Sequence, residues 1–151
     1  MNVLHPTYLS KTIVNSLEKR PMKSCIINIS SVMDVHPFAG AALYSASKAY
    51  VTSFSSALKV ELLHDSSMHS PVDVCVYAPS YVSTKINGMP LIWGLIPSPL
   101  TAAATALHDV GRFAVTNGRF LDRITYALLS FLHKYFSSPL DSNGYKGSLK
   151  K

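Results

Sequence analysis

Apolar residues along this chain alternate between helical spacing and short continuous runs. Over residues 2–19 they recur three or four positions apart, as on one face of a helix: Leu4, Leu9, Ile13, Val14 and Leu17. Residues 24–30 and 72–78 are mostly apolar runs bounded by polar or proline-containing segments, which predicts buried strands. Helical spacing returns over residues 44–64. This alternation predicts an α/β fold in which a right-handed crossover joins two parallel strands.

Further elements are predicted downstream. Residues 101–114 have the spacing of an Ala-rich amphipathic helix, and residues 118–121 resemble a third strand. Residues 120–136 are apolar but interrupted by charged side chains, which predicts an amphipathic helix on a membrane surface and not a spanning helix. No signal peptide is predicted. The Ser-, Gly- and Lys-rich residues 137–151 predict a flexible tail, which leaves residues 1–136 as one partial domain.

Composition and charge exclude some classes of function. The net charge is +6, but Lys146, Lys150 and Lys151 lie in the tail, and no stripe of basic residues with interleaved aromatics is present. Nucleic-acid binding is therefore not expected, whereas an anionic lipid or a CoA phosphate suits the basic charge. Cys25 and Cys75 lie in apolar strand runs and are expected to be reduced. The six histidines show no metal-ligand spacing, so no metal site is predicted.

Three side chains with complementary chemistry follow the first predicted strand. Ser31 comes at its end, and ligands bind at the carboxyl edge of a parallel sheet. Tyr44, thirteen residues later, is followed by Lys48 at i+4, the spacing that places two side chains on one helix face. A cation beside a phenol favours the phenolate, so the hydroxyl can exchange a proton with a substrate oxygen. Taken alone, a Tyr and a Lys four apart are common surface residues, and the combination with Ser31 is what indicates catalysis.

This combination resembles the signature of the short-chain dehydrogenase/reductase family, Ser…Tyr-x-x-x-Lys, which the sequence YSASK carries at residues 44–48. The resemblance implies that Ser31 orients the substrate carbonyl, that Tyr44 passes the proton, and that Lys48 assists Tyr44 and holds the nicotinamide ribose. An Asn-Val pair at the start of the first helix is similar to a further family element. It implies that Asn2 anchors a proton-relay water. Ser31 and Tyr44 are the implied substrate-binding residues.

A second family element, Pro-Gly-x-Val-x-Thr, is similar to PSYVST at residues 79–84, with Ser80 in place of the usual Gly. The implied cofactor-binding residues are Tyr44, Lys48, Pro79, Val82 and Thr84. PSYVSTK at residues 79–85, Ser98-Pro99 and Thr116-Asn117-Gly118 are similar to three motifs of one branch of the family: Pro-aromatic-Val-x-Thr-Lys, Ser-Pro and Thr-Asn-Gly. This branch contains very-long-chain 3-oxoacyl-CoA reductases and 17-beta-hydroxysteroid dehydrogenase type 12. This resemblance implies NADP(H) as cofactor and a fatty-acyl-CoA or a steroid as substrate.

One element of the family has no match in this sequence. The family binds the dinucleotide pyrophosphate at a Gly-rich turn, Gly-x-x-x-Gly-x-Gly, whereas the seven glycines of this chain are scattered. We therefore expect the carboxyl-terminal part of a Rossmann-like, doubly wound parallel sheet that lacks the first strands. A sheet of this kind exposes an apolar edge, which favours a homo-oligomer.

Residues 86–99 are rich in Pro, Gly and large apolar side chains. In the family this region is the mobile loop over the substrate, and its apolar character suits a fatty-acyl or steroid body. A loop packed on the core or against a membrane surface explains the same pattern. The sequence does not decide between this interpretation and the substrate loop. The resemblance implies a location at the endoplasmic reticulum membrane; apart from it, the cytoplasm is expected.

Two functions are consistent with the sequence. The first is an NADPH-dependent ketone reductase of fatty-acid elongation or of keto-steroids, in which the bound cofactor supplies the hydride and the protein supplies orientation and electrostatics. The second is a truncated, catalytically inactive remnant that keeps the catalytic residues without a dinucleotide site. The missing Gly-rich turn is the feature that separates the two hypotheses.

Overall fold

A computed structural model describes residues 2–37, 40–64, 71–85, 88, 90–92, 96–119, 122–124, 126–128 and 131. Within this part of the chain, three strands form one parallel sheet in the order β1 (Ser24–Ile29), β2 (Val72–Tyr77) and β3 (Val115–Thr116). Three helices pack on the sheet: α1 (Leu4–Glu18), α2 (Ala42–His64) and α3 (Pro99–His108). A 3-10 turn spans Val32–Asp34. The predicted α/β class and parallel sheet are confirmed.

The carboxyl ends of β1 and β2 lie side by side. Ile29 is the register partner of Tyr77. The hydrogen bonds continue beyond the strands, because the Ser30 N–H donates to the Tyr77 carbonyl at 2.8 Å and the Val32 N–H donates to the Pro79 carbonyl at 3.1 Å. The segments that leave the two strands are therefore held next to each other at one edge of the sheet, where open α/β folds bind their ligands.

The core lies on both faces of the sheet. One cluster of buried residues joins α1 and α2 to the strands: Leu17, Leu62, Val72 and Val74, with Ile26 packed against them. The other cluster joins α3 to the sheet: Tyr77, Ala102 and Ala106, with Ile27 and Val82 packed against them. Because Ile26 and Ile27 are adjacent in β1, their side chains point to opposite faces. The described chain is thus a three-layer α/β/α arrangement.

The third predicted strand is wrong in position. β3 lies at Val115–Thr116 and not at residues 118–121, of which 120 and 121 lie outside the described residues. Gly118 has a φ of +90°, a left-handed conformation that ends an extended segment, and a Cβ there would meet the Tyr77 ring at 3.2 Å. The strand therefore ends before Gly118, so that this glycine can pack closely on Tyr77.

The predicted helix over residues 101–114 also differs from the structure. α3 begins two residues earlier, since Ser98 caps it by accepting a hydrogen bond from the Thr101 N–H, and it ends at His108. The chain then turns, with Gly111 at a φ of +77°. The buried Asp109 carboxylate accepts a hydrogen bond from Thr116, a contact that a continued helix would not allow.

Several predictions fall partly or wholly beyond the described residues. These are the tail at residues 137–151 and parts of both the substrate loop at 86–99 and the amphipathic helix at 120–136. Of that last segment, residues 122–124, 126–128 and 131 are helical. No helix in the described part of the chain is long and apolar enough to cross a bilayer.

Candidate active site

Tyr44 and Lys48 lie in the first turns of α2, next to the carboxyl end of β1. The Lys48 Nζ atom is 5.6 Å from the centroid of the Tyr44 ring, and it donates a hydrogen bond to the Ile29 carbonyl at 2.9 Å. The Tyr44 side chain is open to solvent, since the residue is 42% exposed. The phenol is thus accessible to a ligand, and the ammonium is held beside it at the sheet edge.

The electrostatics of Lys48 follow from its partial burial. Burial lowers the pKa of the Lys48 ammonium below its ordinary value of 10.5, because the charged form is poorly solvated there. An ammonium has three protons to donate, and Ile29 accepts one of them. The other two are available to an oxygen that approaches from the open side, such as a phenolate or a ribose hydroxyl.

Ser31 lies at the beginning of the 3-10 turn that follows β1. The residue is 8% exposed, its backbone is extended, and its Oγ accepts a hydrogen bond from the Met33 N–H at 3.3 Å. This contact uses an acceptor site of the hydroxyl and leaves its proton for a substrate oxygen. Ser31 therefore keeps a hydroxyl proton to donate at the edge that also carries Lys48, and its role in orienting a carbonyl stays a prediction.

Asn2 and Tyr44 line one open cavity of about 440 Å³, together with Val3, Leu43 and Ser47. The Asn2 Nδ2 atom donates to Ser47 Oγ at 3.4 Å, and the Ser47 hydroxyl donates to the Tyr44 carbonyl at 2.7 Å. The structure therefore brings Asn2 to the turn of α2 that carries Tyr44. Asn2 lies before α1. The sequence predicted that this helix begins at residue 2, but it begins at Leu4.

The predicted cofactor residues after β2 occupy different environments. Pro79 accepts a hydrogen bond from the Val32 N–H, so it lies against the segment that carries Ser31. Val82 packs on the cluster of Tyr77 and α3, which gives it a place in the core. The Thr84 carbonyl accepts a hydrogen bond from Gly88 N–H at 3.1 Å. Neither Ser31 nor these three residues belong to the described lining of the cavity beside Asn2 and Tyr44.

The sequence did not indicate a polar network behind Lys48. The Ser30 hydroxyl donates to the Lys48 carbonyl at 3.0 Å. Thr52 Oγ1 lies 2.7 Å from Ser30 Oγ and 2.5 Å from Asp34 Oδ2. We call these three side chains the Ser30–Thr52–Asp34 network. Thr52 follows Lys48 at i+4, as Lys48 follows Tyr44, so the spacing alone places Thr52 on the same helix face. It does not show that this face meets Ser30 and Asp34.

The described residues fit one end of a dinucleotide. Tyr44 and Lys48 present hydroxyl and ammonium groups that suit a nicotinamide ribose. The pyrophosphate needs a glycine cradle, and the positive-φ glycines in the described part of the chain are isolated: Gly40, Gly88, Gly111 and Gly118. Gly118 packs closely on Tyr77, which belongs to the core, and not on a ligand site. Among the described residues, the groups that suit a dinucleotide are therefore those for its nicotinamide end.

A serine, a tyrosine and a lysine at the carboxyl edge of a parallel sheet define a class of α/β oxidoreductases. The chain belongs to the short chain dehydrogenase family, whose model matches residues 1–90. That match contains Asn2, Ser31, Tyr44, Lys48 and the segment at residues 79–84.

Two curated relatives are similar to most of this chain. Putative steroid dehydrogenase 3 of Caenorhabditis elegans is 30% identical over 150 residues, which cover 99% of this chain and 45% of that protein. Very-long-chain 3-oxoacyl-CoA reductase of Bos taurus is 30% identical over 118 residues, which cover 78% of this chain and 36% of that protein. The chain thus spans less than half the length of these relatives.

Solved structures show the same fold. A short chain dehydrogenase from Burkholderia cenocepacia J2315, in complex with NADP, superposes with a TM-score of 0.70 at 17% identity. The superposition covers 94% of this chain and 55% of that one. The described fold is therefore part of the Rossmann-like sheet of this family, which confirms the predicted fold class.

Proposed function

We propose that this chain provides the catalytic part of an NADPH-dependent ketone reductase. The observation that carries the proposal is the position of Lys48, whose ammonium lies 5.6 Å from the centroid of the exposed Tyr44 ring. Membership of the short chain dehydrogenase family supports it. The names of the relatives, a steroid dehydrogenase and a very-long-chain 3-oxoacyl-CoA reductase, favour a keto-steroid or a 3-oxoacyl-CoA as substrate.

Each residue has a distinct role in this proposal. NADPH supplies the hydride when it is bound. The Ser31 hydroxyl donates a hydrogen bond to the substrate carbonyl oxygen, and the Tyr44 hydroxyl gives that oxygen its proton. Lys48 stabilises the phenolate that remains. Asn2 holds a water in the cavity of about 440 Å³ beside Tyr44, from which the lost proton is replaced.

An apolar substrate body is supported by the segment before α3. Leu91 is 61% exposed and Ile92 is 44% exposed, and Ile92 forms an isolated antiparallel bridge with Ile96. Exposed aliphatic side chains such as these are suited to contact a fatty-acyl chain or a steroid. The location at the endoplasmic reticulum stays a prediction from the resemblance.

The second candidate is a catalytically inactive remnant without a dinucleotide site, and the isolated positions of the described positive-φ glycines favour it. If the chain has no phosphate cradle, it binds no dinucleotide, and Tyr44 and Lys48 take part in no reduction. The chain would then associate with copies of itself through the free edge of β1, since β1 pairs only with β2 within the described residues. Sedimentation velocity over a range of concentrations tests this association, and a constant monomer would contradict it.

A fluorescence titration of the purified chain with NADPH distinguishes the two functions. Lys48→Ala removes the ammonium beside Tyr44, whereas Lys11→Ala removes an ammonium from the exposed side of α1 and changes the net charge equally. Saturable binding by the wild type and by Lys11→Ala, lost in Lys48→Ala, supports the reductase. The absence of saturable binding in all three proteins would show that this chain alone holds no dinucleotide site, which favours the second function.

A further inference from the structure

Lys48 is attached to the end of β1 through both its side chain and its backbone. Its Nζ donates to the Ile29 carbonyl at 2.9 Å, and its own carbonyl accepts from the Ser30 hydroxyl at 3.0 Å. Two neighbouring residues of the strand end thus hold one residue of α2. The position of Lys48 relative to the sheet is therefore set by polar contacts and by packing together.

The Ser30–Thr52–Asp34 network adds a third segment to this attachment. Thr52 lies one turn after Lys48 on α2, and its hydroxyl reaches Ser30 Oγ at 2.7 Å and Asp34 Oδ2 at 2.5 Å. Because the hydroxyl has one proton, it donates to one of these oxygens at a time. Asp34 belongs to the 3-10 turn that begins after Ser31. The network thus joins the strand end, the turn that carries Ser31, and α2.

The hydrogen bonds of this network are shielded from solvent. Ser30 is 2% exposed, and Thr52 and Asp34 are half-buried. Water does not compete well for hydrogen bonds in such surroundings, so connected bonds hold their geometry better than isolated surface bonds. The described lining of the cavity beside Tyr44 contains no residue of the network, so its influence on that cavity is indirect.

We propose that Thr52 and Asp34 are positioning residues, which act through Ser30 to fix Lys48 and Tyr44 relative to Ser31. This inference rests on the proposed reductase function for its catalytic consequence, but its structural part can be tested without catalysis. Thr52→Val removes the hydroxyl and keeps the shape of the side chain. Thr52→Ser restores the hydroxyl and is the rescue variant.

A matched control is available on another helix. Thr12 is also a helical threonine, and its hydroxyl donates only to the Tyr8 carbonyl at 2.8 Å among its described contacts. Thr12→Val therefore makes the same chemical change without touching the Ser30–Thr52–Asp34 network. Any difference between Thr52→Val and Thr12→Val reports on the network and not on the loss of a helical hydroxyl.

The first readout is the titration of Lys48, followed by NMR in protein with 13C-labelled lysine and assigned with Lys48→Arg. Burial lowers the pKa of Lys48 in the native arrangement. If Thr52→Val loosens α2 from the strand end, the ammonium gains water and its pKa rises toward 10.5. Thr12→Val and Thr52→Ser are expected to leave the wild-type titration unchanged. An unchanged titration in folded Thr52→Val overturns the proposal.

The second readout is steady-state reduction of a ketone with NADPH. A misplaced Tyr44 and Lys48 lower kcat by roughly 10- to 100-fold while the KM for the ketone changes little, since the apolar binding contacts stay in place. A shift of the Lys48 titration in a chain that binds no NADPH would support the positioning role and contradict the reductase function, so the two failures are distinguishable.

A second variant covers the case in which Thr52→Val does not fold. Ser30→Ala removes the hydroxyl that contacts both the Lys48 carbonyl and Thr52, and leaves Thr52 next to Asp34. Its Lys48 titration is expected to shift in the same direction. A wild-type titration in folded Ser30→Ala overturns the proposal independently of Thr52.

Discussion

At the scale of single residues, the hydroxyl of Tyr44 can be tested apart from its ring. Tyr44→Phe keeps the aromatic ring near Lys48 and removes only the proton donor. General acid catalysis contributes typically about 10²- to 10⁴-fold, so we expect a loss of ketone reduction of this size with NADPH binding retained. The measurement is kcat/KM together with an NADPH titration.

Tyr50→Phe is the control for this change. Tyr50 lies on the same helix, stacks on Phe54, and shares a hydrogen bond with Thr7 through its hydroxyl. It is expected to keep wild-type kcat/KM. Equal activity losses in Tyr50→Phe and Tyr44→Phe would remove Tyr44 from the proposed mechanism.

The charge of Asp109 is expected to stabilise the fold in a pH-dependent way. Burial alone would raise the pKa of its carboxyl, but hydrogen bonds from Thr116, His108 and Arg123 outweigh this effect and hold the pKa below 3.8. A carboxyl with a lowered pKa contributes stability at every pH above its unfolded value, and this contribution is lost as the pH falls through the folded value.

Asp109→Asn tests this contribution. Hydrogen bonds to charged groups contribute about 1.5–3 kcal/mol, so we expect a loss of about 2 kcal/mol in the free energy of unfolding by urea at pH 7. The difference from wild type is expected to shrink as the pH falls below about 4. Asp73→Asn, which breaks the partly exposed ion pair with Lys59, is expected to cost less than about 1 kcal/mol. A pH-independent cost of Asp109→Asn would contradict the argument.

The residue-scale chemistry could be predicted only where it depends on local spacing. Tyr44 and Lys48 are four apart, so their proximity follows from helix geometry alone. The contacts of Thr52 depend on how closely α2 approaches the end of β1, which no local pattern specifies. The same holds for Asp109, whose partners Thr116 and Arg123 are brought to it by a turn that the sequence pattern had assigned to a helix.

At the scale of elements, one buried side-chain hydrogen bond joins β1 to α2. Asn28 Nδ2 donates to Ser55 Oγ at 2.8 Å, and both residues are buried. Ser55→Ala would leave this amide without its partner, and an unsatisfied buried donor costs about 1–3 kcal/mol. We expect that loss in the free energy of unfolding, measured by urea denaturation.

Ser56→Ala is the matched control for Ser55→Ala. Ser56 and Ser55 each donate to the carbonyl four residues earlier, at 2.8 and 2.7 Å, so both variants lose that bond. Only Ser55→Ala leaves a buried amide unpaired, and Ser56→Ala is expected to change stability by less than about 0.5 kcal/mol. Similar costs for both would show that the Asn28 bond contributes little.

The elements themselves were well predicted where apolar runs are long. β1 and β2 end within one residue of their predicted ends, and α2 begins two residues before its predicted start. β3 is two residues long, too short for a period of alternation to be seen. Its position is set by pairing with β2 and by the contact of Gly118 with Tyr77, which are tertiary features.

At the scale of the whole molecule, ligand binding and folding are linked. A ligand that binds only the folded chain stabilises it by about 2.7 kcal/mol at one hundred times its Kd. For a domain of this size, each kcal/mol raises Tm by about 2–4 °C, so NADPH at that excess is expected to raise Tm by about 5–10 °C.

Thermal unfolding of wild type, Lys48→Ala and Lys11→Ala, with and without NADPH, measures this linkage. If Tyr44 and Lys48 hold the nicotinamide ribose, the shift is expected in wild type and Lys11→Ala and is greatly reduced in Lys48→Ala. An equal shift in all three proteins would mean that NADPH binds away from Lys48. A shift in none, at NADPH concentrations far above the physiological range, would mean that the folded chain forms no dinucleotide site, because mass action stabilises any protein whose native state binds the ligand.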